Sequence, residues 1–142
     1  MISNDICPIG NTLDLFNRKW IFCIMSNIFR GMTHFNEFKD ANPTISNHVL
    51  AQTLKYMEEQ ELITKTVVDE HHNKTEYALT PKGLRANRIL YEITEYYFDE
   101  LNYSNSDDVE IEELLGEYRK IYNSGKFIIT YFFLYYFFRH VI

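Results

Sequence analysis

The sequence predicts a mainly α-helical fold interrupted by one β-hairpin. Apolar residues recur at helical spacing through residues 19–60, then give way to β-branched, strand-like residues at 62–68 and 74–79. A third observation is the helix restart at Thr80-Pro81, a capping threonine with proline at the first helical position.

Taken in order, Leu13, Leu15 and Phe16 form a short apolar patch after Asn11-Thr12, enough for one or two helical turns. Residues 19–29 are apolar nearly all round, which predicts a helix buried on most sides with Cys23 in the core. Gly31 stops it. Thr33 is the expected cap of a second short helix over residues 34–41, with Phe35 and Phe38 three apart on one face. Asn42-Pro43 ends that helix, because the residue before proline is pushed out of the α region. A longer helix is expected over residues 46–60. Leu50, Leu54 and Met57 repeat behind Ile45, Ser46 or Thr44 supplies the cap, and Asn47, His48, Ala51, Gln52 and Lys55 form the solvent side. The hairpin turns at residues 69–73. From Thr80-Pro81 a long helix carries a single apolar stripe of Ala86, Leu90, Ile93, Tyr97 and Leu101. After a polar break at 102–107, residues 109–122 form a last amphipathic helix, with acids in its first turns and Arg119-Lys120 in its last.

Composition narrows the function classes. At 142 residues one domain is expected, and 46% apolar with 24% charged residues is a globular balance. A net charge of −6 taken whole speaks against nucleic-acid binding, whose usual footprint is basic. The charge is unevenly placed, however. Residues 1–90 carry ten basic and ten acidic side chains, whereas residues 91–142 carry four and ten. The first two thirds therefore stay electrically open to DNA. No basic and apolar leader opens the chain, so no secretory signal is expected. The longest apolar run, residues 127–138, is interrupted only by Thr130 and falls short of the roughly 18–20 residues of a membrane span. Cys7 and Cys23 are too few for a disulfide framework or a four-ligand zinc site, and a reducing cytoplasm is the expected location. The bias to Asn, Ile, Lys, Tyr and Phe suggests an AT-rich, bacterial genome.

Three helices, a hairpin and a helix is the layout of a winged helix-turn-helix. A helix with small and amide side chains near its N-terminus fits the major groove, about 12 Å wide. The short helix before it, joined by Asn42-Pro43-Thr44, crosses the backbone and sets the angle of entry. The hairpin tip reaches a neighbouring groove or phosphates.

Particular residues sharpen this. Cys7-Pro8-Ile9, Leu13-Asp14, Lys19-Trp20, Phe35-Asn36-Glu37-Phe38, Ile45-Ser46-Asn47-His48-Val49-Leu50, Leu54-Lys55-Tyr56-Met57-Glu58, Leu62-Ile63 and Glu76-Tyr77-Ala78-Leu79-Thr80-Pro81-Lys82-Gly83 follow one another in one register. Together they resemble the HxlR family of MarR-like bacterial transcription regulators, over about residues 5–101. The resemblance implies a homodimer on a double-stranded DNA operator, with C-terminal dimerisation helices and the N-terminal segment building the dimer. On that reading residues 1–101 are the DNA-binding domain with its first dimer helix, and 102–142 are an acidic, then aromatic extension. The tip His71-His72-Asn73-Lys74 departs from relatives that carry proline and arginine there.

Candidate DNA-binding residues are Ser46, Asn47, His48, Gln52 and Lys55 on the recognition helix, where Asn or Gln can pair bidentately with adenine. Lys74 on the wing, with His34 and Lys39 around the helix-turn-helix, are phosphate candidates. The resemblance also implies that the cysteine before proline senses electrophiles or oxidants in some members, which makes Cys7 the candidate redox sensor. A reactive thiol needs exposure and a nearby cation or helix N-terminus, and Arg18-Lys19 are the cations in question. With no cysteine after Cys23, a Cys7–Cys7 bond between protomers, a Cys7–Cys23 pairing or a mixed disulfide are the available oxidised forms. His71-His72 lacks the spacing of a helical zinc pair and reads as a wing tip, so neither metal nor cofactor is expected. Nothing specifies a base, an oxyanion hole or a pocket for an enzyme. Residues 127–138 hold eight aromatics and are expected to pack against the dimer; a membrane-surface anchor and a translated AT-rich scar are the alternatives. The rival reading is a protein-interaction or membrane-surface module on the same fold that has lost specific DNA binding.

Overall fold

The computed structural model describes residues 7–69, 71–101, 116, 119 and 120. Residues up to Gly83 form one compact unit and those from Leu84 onward a second. The expected helix over residues 109–122, bar the three positions named, and the aromatic run 127–138 lie outside the described residues.

The first unit opens with α1 (Pro8–Leu15), followed by α2 (Ile21–Phe29), α3 (Phe35–Ala41) and α4 (Asn47–Glu59). A two-stranded antiparallel sheet comes next, β1 (Ile63–Asp69) against β2 (Lys74–Leu79), and then the short α5 (Pro81–Leu84). Strand register runs from Ile63 opposite Leu79 to Val67 opposite Thr75, then slips at Val68 so that Asp69 faces Lys74. That bulge bends the hairpin just before its tip. The core is the meeting place of the apolar faces: Ile21, Ile24 and Met25 of α2, Phe38 of α3, Leu50, Leu54 and Met57 of α4, with Ile45, Leu62, Ile63 and Tyr77. Each such Leu, Ile or Phe contributes about 1.5–3 kcal/mol by leaving water. Phe38 and Tyr77 also pack ring to ring, 6.0 Å apart, joining α3 to the wing.

Local chemistry sets the boundaries. Gly31 takes φ +93° and closes α2, a conformation open to glycine at little cost. The cap of α3 is His34, one residue later than the expected Thr33, because Glu37 Oε2 folds back to accept both the Thr33 and His34 amides at 2.7 and 2.8 Å. Glu37 thereby sits at its favoured end of the helix dipole. Helix α4 begins after Ser46, whose Oγ accepts the Val49 amide at 3.1 Å. Its other end is closed by the Lys82 ammonium, donating to the Gln60 carbonyl at 2.8 Å.

Two expectations are corrected. Cys23 is exposed, not core. The apolar run of α2 carries no phase of its own; packing turns Ile21, Ile24 and Met25 inward, and a residue two positions after Ile21 points elsewhere. Nor is the helix after the wing continuous. It is α5, a break at Arg85-Ala86, α6 (Asn87–Tyr96) and a π-helical turn (Tyr97–Leu101). Of its expected stripe, Ala86 and Leu90 are buried while Ile93, Tyr97 and Leu101 are exposed. Thr80 and Lys82 bind the carbonyls of residues 60–62, which fixes α5 by contacts that the rest of the helical run does not share.

In the second unit α6 is steadied from within: the Tyr91 hydroxyl donates to Glu95, and Arg119 donates to Tyr91 at 3.3 Å and lies 4.0 Å from Glu95. Ile89, Ile93 and Tyr96 project from it into solvent. Among the described residues no helix is long and apolar enough to cross a membrane.

Candidate nucleic-acid interface

Helix α4 has one apolar and one polar face. Leu50, Thr53, Leu54 and Met57 turn inward, and the Thr53 hydroxyl donates to the Val49 carbonyl at 2.8 Å, satisfying itself within the helix. At about 100° per residue the opposite arc belongs to His48, Gln52, Lys55 and Glu59, flanked by Asn47 and Ala51 on one side and Val49 on the other. All of these are exposed, as is the cap Ser46. The five recognition-helix candidates are thus all exposed, with His48, Gln52 and Lys55 together on the arc opposite the core. Lys55 lies 3.9 Å from Glu59 one turn on, an exposed pair of about 0.3–0.5 kcal/mol that leaves the ammonium free to turn outward. Val49 is an apolar addition to this polar set. At 38% exposure in the first turn, its methyls match what a thymine methyl would pack against.

The wing candidates divide. Lys74 is exposed at the start of β2, opposite Asp69. The Asp69 carboxylate organises the tip: it meets His72 Nδ1 at 2.5 Å and accepts the His71 amide at 3.0 Å. The His72 hydrogen bond first, then the His71 amide and the Lys74 charge, hold Asp69 below its ordinary range. His71-His72 is therefore a turn built on one carboxylate, with Asn73 at φ +49° completing it. Lys39 donates to the Pro43 carbonyl at 3.1 Å across the turn before α4. His34 is turned toward the wing: its Nδ1 bonds the Thr75 carbonyl at 2.9 Å, and its Nε2 lies 3.7 Å from Glu76.

Cys7 is exposed at the N-cap of α1, where Sγ accepts the Gly10 amide at 3.3 Å. Arg18 lies 4.0 Å over the Tyr56 ring and Lys19 4.8 Å over Trp20, so both cations are engaged with aromatic faces. Lys19 does act on Cys23. Although the residue is exposed, neighbouring atoms partly cover its sulfur and so push that thiol up, and the lysine partly offsets the rise. The Tyr56 hydroxyl donates to the Leu15 carbonyl at 2.9 Å, tying α4 to the end of α1. Tyr56 belongs to one of the blocks that carry the family resemblance, but this pairing is not announced by it, since its partners lie 38 and 41 residues away.

Comparison with known proteins places this arrangement. The family described as HxlR-like helix-turn-helix matches residues 15–105. An uncharacterised helix-turn-helix transcriptional regulator of Bacillus subtilis, YvaP, is 30% identical over 97 residues, 68% of this chain and 90% of its own. Among solved structures, a MarR-family transcriptional regulator from Porphyromonas gingivalis W83 superposes with a TM-score of 0.64 and 33% identity, covering 71% of this chain and 99% of that one. The reduced form of the regulator YodB from B. subtilis superposes at 0.60 with 26% identity, covering 70% and 99%. YodB is also known in diamide-treated and quinone-bound forms.

Proposed function

The chain belongs to the HxlR-like helix-turn-helix family, MarR-type transcriptional regulators and not enzymes, and on that premise we propose that it binds an inverted-repeat DNA operator as a homodimer whose affinity responds to oxidation or alkylation of Cys7. The observation that carries the DNA reading is α4: Ser46, Asn47, His48, Gln52 and Lys55 are all exposed at its N-terminal half, with His48, Gln52 and Lys55 directly opposite a fully buried face. Asn47 and Gln52 supply amides for adenine edges, while Lys55, Lys39 and Lys74 supply charge for phosphates. Residues 1–101 act as the DNA-binding part and 102–142 as an extension to it, and work on DNA places the protein in the cytoplasm.

Support for the dimer comes from apolar side chains left in water. Ile9 and Leu13 are 73% and 63% exposed one turn apart on α1; Ile89, Ile93 and Tyr96 repeat at four and three on α6. Such rows are what a partner protomer would cover. For the switch, Cys7 is the exposed thiol in the segment that would meet the partner.

A gel-shift series with the chain's own upstream DNA in graded salt tests the first part. Salt-dependent, sequence-selective binding is expected, and its absence would sink the DNA reading. Cys7→Ser should keep DNA affinity and lose the response to diamide or a quinone, whereas Cys23→Ser should keep both. A full response in the Cys7 variant refutes Cys7 as sensor.

A further inference from the structure

We infer that His34 is a positioning residue that holds the wing at the angle Lys74 needs to reach a phosphate; this rests on the DNA-binding reading above. Besides the Phe38–Tyr77 ring contact, two hydrogen bonds join the start of α3 to β2. The Tyr77 amide donates to the Thr33 carbonyl at 2.8 Å, and the adjacent His34 ring bonds the Thr75 carbonyl at 2.9 Å. A carbonyl only accepts, so Nδ1 carries the proton here, and the bond stands in either charge state of the ring. Glu76 at 3.7 Å from Nε2 favours the same ring orientation. The side chain is only 31% exposed, which shields the bond from competing water.

Thr75 is the residue next to Lys74. Without such links a two-stranded hairpin is marginally stable by itself. Its tip would sample many angles relative to α4, and a phosphate contact would have to fix it at an entropic cost. The His34 bond grips β2 at Thr75, the residue that follows Lys74, on the same side of the tip. Glu37 holds the other end of the tether by accepting the Thr33 and His34 amides. His34 thus acts through Lys74, and its role differs from that of a residue that touches DNA.

The decisive experiment is a double-mutant cycle on the full chain, read by DNA affinity, with amide exchange measured in the absence of DNA. His34→Ala should weaken operator binding about as much as Lys74→Ala, roughly tenfold at low salt. Adding Lys74→Ala to it should then cost almost nothing more. Gln52→Ala, on α4, should remain fully additive with His34→Ala, which a general loss of folding would not allow. His34→Asn keeps an N–H donor near the Nδ1 position and should restore the coupling to Lys74. Without DNA, His34→Ala should speed exchange of the Tyr77 amide about tenfold, and His34→Asn should not. Unchanged Tyr77 exchange overturns the tether whether or not the chain binds DNA. Full cost of Lys74→Ala in the His34→Ala background overturns its consequence for DNA.

Discussion

Removing Lys74 should change how binding depends on salt, and by an amount the structure allows to be worked out. Three lysines, the exposed Lys55 and Lys74 and the half-buried Lys39, are the phosphate candidates of each protomer in the proposed dimer. Counterion release predicts a slope of log K against log salt of about −0.9 per phosphate neutralised, so a dimer engaging all six has a slope of about −5.4. Raising salt from about 50 to about 200 mM then costs about 2,000-fold in affinity. Lys74→Ala removes one contact from each protomer, reducing the slope to about −3.6 and the same salt penalty to about 150-fold. Base selectivity should not move, because Lys74 lies on the hairpin and Asn47, His48 and Gln52 on α4. Fluorescence anisotropy with a labelled operator duplex at five or six salt concentrations reads both quantities. A slope unchanged by the substitution means the wing does not touch the backbone. A wild-type slope near zero removes α4 from the groove altogether.

Other outcomes follow from single contacts. A Cβ on Gly83 would lie 2.1 Å from the Leu62 carbonyl oxygen, a backbone atom that cannot step aside, so Gly83→Ala should cost about 3 kcal/mol or more and lower Tm by roughly 10 °C; a shift under about 2 °C in a thermal melt would refute the close approach. Glu37 is held below its ordinary value by the Thr33 amide first and the His34 amide second, so the folded protein binds fewer protons than the unfolded chain. Its contribution is complete above the ordinary glutamate value of about 4.3 and is lost as pH falls through the lower folded one. Glu37→Gln should flatten acid destabilisation in that window in urea titrations. Among the described residues the buried Asn27 Nδ2 has no hydrogen-bond partner. An orphaned donor costs about 1–3 kcal/mol, so Asn27→Leu should leave stability equal or higher, and a loss above about 2 kcal/mol in chemical denaturation would show a partner at work.

What was legible in the sequence was local. The change of hydrophobic period at residue 62 marks the hairpin, and Ser46 caps α4 because a hydroxyl one residue before the first turn can reach the amide of Val49. The polar set on α4 follows from Leu50, Leu54 and Met57, which fix the phase of the helix. Where phase is misleading, reading fails: α2 is apolar nearly all round and its two polar residues, Ser26 and Asn27, are themselves buried, so its sequence does not separate Ile24 from Cys23. The break at Arg85-Ala86 escaped for a different reason. Thr80-Pro81 announces a helix start, but the anchoring of Thr80 and Lys82 on residues 60–62 is a tertiary contact across the whole hairpin. His34 shows what local pattern does not carry: its type makes it a phosphate candidate, and that its ring bonds the Thr75 carbonyl depends on a residue 41 positions later.

The two ends of α1 bear on what a change at Cys7 can accomplish. The helix is eight residues, about 12 Å, capped at one end by the Cys7 sulfur and bonded at the other, through the Leu15 carbonyl, to Tyr56 of α4. A monofunctional adduct on Sγ displaces the acceptor of the Gly10 amide, and losing an N-cap costs about 1 kcal/mol. That alters a population by only about fivefold. An adduct acting through the cap alone should therefore weaken operator binding by about that factor and leave the dimer intact. A bond between Cys7 of one protomer and Cys7 of its partner is different in kind, because it fixes the relation of two α1 helices, each carrying exposed Ile9 and Leu13 and each tied to a recognition helix through Tyr56. Half-site spacing then becomes a covalent constraint, and loss of binding should be nearly complete. Iodoacetamide and diamide separate the two. If the alkylating agent alone abolishes binding, the cap is too weak to be the cause, and the adduct must block the dimer surface at Ile9.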